Sequence, residues 1–153
     1  MNILDDSVNP VNLNDFVPLK ETLSHTPLIQ TLKEKKEQGY VKKMGMSFHD
    51  TADVLDKILT EQPQLEFVQL QINYLDWECE NVQSRKCWET ARKHGKEIIV
   101  MEPVKGGVLV NLPDGAKKEL DALGGGSYAS YALRYAASLE NVFMVLSGMG
   151  NTD

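Results

Sequence analysis

Apolar residues recur along this chain at two spacings, and the two alternate. In LEFVQLQINYL (65–75), Val68, Leu70 and Ile72 share one parity while Gln69, Gln71 and Asn73 share the other, which predicts a strand with one apolar and one polar face. The stretch YVKKMGMSF (40–48) divides likewise, with Met44, Met46 and Phe48 opposite Gly45 and Ser47, whose parity His49 shares. KEIIVM (96–101) and NVFMVLS (141–147) are apolar runs of strand length. Between them the spacing turns helical. PLIQTLKEKKEQ (27–38) carries Leu28, Ile29 and Leu32 on one face, and TADVLDKILTEQ (51–62) carries Val54, Leu55, Ile58 and Leu59. Further helices are expected from about Asn81 to His94 and over YASYALRYAASL (128–139). The punctuation agrees: Thr26-Pro27, Asp50 and Ser127 are placed to cap helix starts, Gly39 and Gly95 to end helices, and Pro63 to stop one.

Strands separated by helices cannot pair as hairpins, so the pattern predicts a parallel sheet with crossover connections. Two architectures satisfy it, an open doubly wound sheet and part of a (β/α) barrel. Residues 1–26, rich in Asn, Asp and Pro, read as an irregular segment, and residues 27–153 as one α/β domain. Gly124-Gly125-Gly126 reads as a flexible joint.

Composition removes several functions. Of 153 residues, 42% are hydrophobic and 25% charged, which suits one globular domain with its own core. A net charge of −6 argues against a nucleic-acid or anionic-membrane partner, because either needs a basic patch. Lys33, Lys35, Lys36, Lys42 and Lys43 are interleaved with Glu34 and Glu37 and read as solvated helix surface. No apolar run reaches membrane-spanning length, and MNILDDSVNP lacks the basic and apolar regions of a signal peptide, so a cytoplasmic location is expected. Cys79 and Cys87 have no CxxC or Cys/His grouping around them; reduced thiols are expected, and no metal site.

Candidate chemistry gathers at the strand ends. Gln69, Gln71 and Asn73 on one strand, and Ser47 and His49 on another, place polar groups at carboxyl ends, where parallel α/β folds hold ligands. The same residues would also serve as hydrogen-bonded interior groups with no ligand. VMEPVKGG (100–107) runs an apolar strand directly into acid, proline, lysine and two glycines, a segment that presents backbone and charge.

Five blocks in order, GYVKKMGMSFHD, FVQLQINYLD, KEIIVMEPVKGGVLVNLP, SYASYALRY and VFMVLSGM, resemble the later part of an aldo/keto reductase, especially the bacterial branch that often carries an iron–sulfur module. The resemblance implies a partial TIM (β/α)8 barrel, with about four parallel strands alternating with helices, from a family that reduces aldehydes and ketones with NAD(P)H. It implies NADP or NAD as cofactor, a small carbonyl substrate, and no metal in this chain. Ser47 and Gln69 correspond to residues that hold the nicotinamide carboxamide. Asn73 corresponds to the asparagine of a Tyr-Asn pair, and Met101 stands where many members stack a Tyr on the nicotinamide. Phe48 replaces the Asn that usually completes the carboxamide clamp. Glu102, Pro103, Lys105, Gly106 and Gly107 correspond to the loop beside the pyrophosphate, and Ser147 and Gly148 to the last strand end near the adenosine.

The same resemblance implies an incomplete catalytic set. The family's Tyr acid, its Lys and Asp, and its nearby His come from the first four strands, and Met1 stands at the place of that His. The expectation is therefore a truncated chain with cofactor-side residues and no catalytic residue of its own, inactive alone. The alternative is a non-catalytic, stand-alone half-barrel that self-assembles as a homo-oligomer or binds a nucleotide or a complementary half-barrel.

Overall fold

The computed structural model describes residues 27–146 and Gly148. The irregular segment expected over residues 1–26 and the strand-end Ser147 lie outside the described residues. In chain order come α1 (Pro27–Glu37), β1 (Gly45–Ser47), α2 (Ala52–Glu61), β2 (Phe67–Gln71), α3 (Ser84–Lys93), β3 (Glu97–Met101), a 3-10 turn (Val108–Val110), α4 (Asp114–Ala122), α5 (Tyr128–Ser138) and β4 (Val142–Val145).

The four strands lie side by side in chain order and all pair in parallel. Their apolar parity meets the helices. Val68, Leu70, Ile72, Ile98 and Val100 join Leu55, Ile58 and Leu59 of α2, Cys87 and Ala91 of α3 and Ala136 of α5 in one buried cluster. Each large side chain there stabilises the fold by about 1.5–3 kcal/mol on leaving water. The helices that bury it cover a single sheet face, and the strand order never reverses. That is a segment of a (β/α) barrel and not a doubly wound sheet, which reverses its order and is covered on both faces. The opposite face, which would line a barrel, stays half-buried or exposed at Ser47, Phe67, Gln69, Ile99 and Met101.

Several boundaries differ from the sequence pattern. The strands expected over 40–48 and 65–75 reduce to three and five residues, because only the stretches in register form ladders. Thr51, not Asp50, is the N-cap residue of α2; the Asp50 carboxylate instead accepts a hydrogen bond from the Thr51 N–H at 2.7 Å. Helix α3 starts at Ser84, later than Asn81, because Gln83 adopts a left-handed conformation with φ 55°. Ser127 caps α5 as expected, its hydroxyl accepting from the Ser130 N–H at 3.3 Å. Leu28 is exposed, and Ile29 and Leu32 are only half-buried, so α1 does not seat the apolar face its spacing describes.

Helix α4 was not legible. It buries no residue and has Gly115 in its first turn, so no apolar stripe marks it. In β4 a register irregularity opposite Ile98 and Ile99 leaves Phe143 and Met144 both exposed. Phe143 still meets Phe67 edge-on, with ring centroids 6.3 Å apart.

Candidate functional site

Three neighbouring strands meet at the carboxyl end of the uncovered face: β1 brings Ser47, β2 brings Gln69 and Gln71, and β3 brings the Met101 thioether. Ser47 lies opposite Gln69 in the β1–β2 ladder, and Gln71 opposite Met101 in the β2–β3 ladder. The Gln69 amide reaches the Ser47 hydroxyl at 3.5 Å and the Met101 sulfur at 3.4 Å. The His49 Nε2 sits 3.2 Å from the Ser47 hydroxyl, on the same parity. Phe48 points the other way, into the cluster under α2, at 5% exposure. It follows the last residue of β1, and its N–H donates to the Gln69 carbonyl at 3.0 Å.

The loop after β3 is conformationally tense. Glu102 and Lys105 adopt left-handed φ angles of 57° and 50°, which cost roughly 1–2 kcal/mol each for residues with a Cβ. Gly106 and Gly107 follow at 57° and 90°, where glycine carries no such cost. Turn hydrogen bonds from Lys105 N–H to the Glu102 carbonyl (3.0 Å) and from Gly107 N–H to the Val104 carbonyl (3.1 Å) close the loop. Pro103 is buried beneath it, while Glu102 and Gly106 face outward. Among the described residues the Gly106 N–H has no acceptor.

What holds the loop is a residue the sequence pattern did not single out. Asp76, 3% exposed, accepts hydrogen bonds from Gln71 (2.9 Å) and Asn73 (2.9 Å) and pairs with the Lys105 ammonium. Burial pushes its carboxyl up, but the Lys105, Asn73 and Gln71 hydrogen bonds together outweigh burial and hold it below the usual carboxylate range. Asn73 is fully buried. Its carbonyl oxygen caps the Leu75 and Asp76 N–H groups, and its amide nitrogen donates to Asp76 and to the Glu102 carbonyl at 3.2 Å. With every polar position taken internally, Asn73 is a brace between the β2 and β3 loops, not a surface for a ligand. The signal available in the sequence was an Asn three residues before an Asp directly after a strand, the arrangement of an Asx turn.

Elsewhere the chemistry is structural. His94 Nε2 lies 2.8 Å from Asp56, joining α3 to α2; the Lys93 and His94 hydrogen bonds hold the Asp56 carboxyl low. Lys36 pairs with Glu66 and Lys43 with Glu97, so part of the lysine-rich stretch braces strand starts. A cleft of about 160 Å³ opens between His49, Gln71 and the first turn of α3, with Cys87 at its floor. Burial first, and then the nearby Asp50, pushes the Cys87 thiol up to about 11. Among the described residues no group of three or more His, Cys, Asp or Glu side chains could hold a metal ion, and no helix is long and apolar enough to cross a membrane. Gly148 is exposed just beyond β4.

A one-sided, singly wound parallel sheet with polar groups at its carboxyl ends defines a partial (β/α) barrel with a candidate site at its rim. The sequence profile of the Aldo/keto reductase family matches residues 16–153, and the chain belongs to that family. Among solved structures it is similar to the holo form of an aldo-keto reductase from Bacillus halodurans (21% identity, TM-score 0.61, covering 82% of this chain and 46% of that one). A thermostable aldo-keto reductase solved with the inhibitor epalrestat gives 17% identity and a TM-score of 0.62 over 84% and 45% of the two chains. An aldo-keto reductase from Klebsiella pneumoniae in complex with NADPH gives 15% and 0.60 over 80% and 44%. At these identities the likeness shows the fold, and the chain spans just under half the length of each structure. No curated protein matches it.

Proposed function

We propose that this chain supplies the cofactor-binding side of an NAD(P)H-dependent carbonyl reductase. The observation that carries the reading is the meeting of Ser47, Gln69 and Met101 at the strand ends, with the loop that holds Lys105, Gly106 and Gly107 following Met101 in the chain. A hydroxyl and a primary amide offer both donors and acceptors, which suits a carboxamide. The Met101 thioether is a soft surface against which a nicotinamide ring packs. The Lys105 ammonium and the unpaired Gly106 N–H suit a pyrophosphate, with Gly107 keeping the backbone open to close approach. Gly148, exposed beyond β4, is assigned to the adenosine side by the resemblance alone. Glu102 and Pro103 shape the loop, and Asn73 acts as its brace. When bound, the cofactor supplies the hydride; these residues orient it on the rim of the sheet.

The proton donor is not among them. Tyr74 follows β2 but packs edge-on against Tyr135 (centroids 5.9 Å apart) with its hydroxyl buried, and burial pushes that phenol up, away from an acid's range. The 153-residue chain alone is therefore expected to bind NADPH or NADH without reducing a carbonyl. Fluorescence titration with both nucleotides, followed by an aldehyde and ketone panel, tests this. The absence of saturable binding at millimolar nucleotide sinks the cofactor reading, and turnover above background sinks the expectation of inactivity.

A second reading rests on the uncovered sheet face, where Phe143 and Met144 are 45% and 46% exposed. Apolar surface on a sheet with open edges favours assembly with a second copy or with a complementary half-barrel. Sedimentation across a concentration series distinguishes this from a monomer. The free thiols Cys79 and Cys87 suit a reducing compartment, and we place the protein in the cytoplasm.

A further inference from the structure

We infer that Asp76 is a positioning residue that presets Lys105 and the loop 102–107 for a dinucleotide's phosphates. The inference deepens the preceding proposal and depends on it only for the identity of the anion. Three observations carry it. Asp76 is buried, with 4% of its side chain exposed, while its partner Lys105 keeps 33% of its side chain open. A cation anchored at one side and open at the other can meet an incoming anion without first being ordered. Next, the loop occupies left-handed backbone conformations at Glu102 and Lys105, which persist only where surrounding contacts hold them. Beyond the loop's own turn hydrogen bonds, the side-chain contacts come from one cluster: Asp76 takes the Lys105 side chain, and Asn73, bonded to Asp76 at 2.9 Å, takes the Glu102 carbonyl at 3.2 Å. Finally, Gln71 also donates to Asp76 at 2.9 Å, so the carboxylate ties the polar face of β2 to the loop after β3.

The ammonium–carboxylate pair and the Asn73 bridge can be separated by substitution. In Asp76→Asn the remaining oxygen can still accept from Asn73 and Gln71, whereas the new amide nitrogen offers Lys105 a donor where it had an acceptor. The ion pair is lost and the Asn73 bridge retained. Amide hydrogen exchange at Val104, Gly107, Val108 and Leu109 is expected to quicken about tenfold in this variant, with β2 and β3 unchanged. The Kd for NADPH is expected to rise about tenfold, since the loop must then be ordered on binding. Lys105→Met breaks the same pair from its exposed end and should loosen the same amides, which keeps the test open if Asp76→Asn does not fold. In the double variant the losses in affinity should not add, because both residues act through one contact. Unchanged loop exchange in both single variants overturns the inference, as do additive losses or tighter NADPH binding by Asp76→Asn. If the loop loosens but the unmodified chain binds no NADPH, the positioning role is supported and the nucleotide reading alone fails.

Discussion

The Gln69 amide nitrogen lies 3.4 Å from the Met101 sulfur and 3.5 Å from the Ser47 hydroxyl, so one residue of the central strand β2 links the ends of both neighbouring strands. Gln69→Ala removes that link while leaving the helix-facing core untouched. NADPH affinity is expected to fall about fivefold, the loss of roughly one hydrogen bond, with the midpoint of urea unfolding nearly unchanged. Fluorescence titration beside an unfolding curve reads both, and unaltered affinity removes Gln69 from the site.

The resemblance puts a clamp asparagine at position 48, whereas Phe48 faces the helices. Phe48→Asn is therefore expected to cost about 3 kcal/mol or more, by emptying a packed position and burying an amide, without tightening nucleotide binding. Urea unfolding measures the loss. A stable variant with improved affinity means position 48 can reach the site.

The depressed Asp76 carboxyl ties stability to acid. Its contribution is complete above the ordinary value of 3.8 and is lost as pH falls through the lower folded value. The unmodified chain should lose stability more steeply than Asp76→Asn below pH 3.8. Parallel acid-unfolding profiles for the two proteins contradict this.

For Cys87 the sign is opposite. A thiol raised from 9.0 to about 11 stays protonated in the fold while the unfolded chain ionises, so folding loses stability as pH climbs between those values. Half-buried Cys79 should react with a thiol reagent first, and Cys87 only on unfolding. Two equally fast thiols in the folded chain rule this out.

Gly45 has a packing role in β1. A Cβ there would overlap the Phe67 ring. Gly45→Ala should destabilise by about 1–3 kcal/mol, and Phe67→Leu in the same chain should recover part of it. A thermal melt of the single and double variants decides the matter.

Much of the site was legible because strand parity is a local property. The alternation that separates Val68 and Leu70 from Gln69 and Gln71 holds through β2 and β3 and breaks in β4, where the register irregularity leaves Phe143 and Met144 both exposed. Asp76 was not legible, since its importance comes from Lys105, 29 residues further along the chain. Asn73 read as a contact for a ligand because its bond to the Glu102 carbonyl, 29 residues along the chain, has no local signal, although its turn with Asp76 has one.

The sequence by itself determined the alternation of strand and helix, the parallel sheet, the apolar faces and the left-handed turns at Gly39 and Gly95, all of which follow from spacing and from backbone freedom at single residues. Spacing left the strand order open; the family resemblance implied a barrel segment and the structure shows it, β1 to β4 without reversal, while tertiary structure alone decided that a buried carboxylate braces the loop after β3. Strand order and ion pairing depend on which distant segments meet, and that is set by how helix faces pack on the sheet, a quantity no local pattern contains.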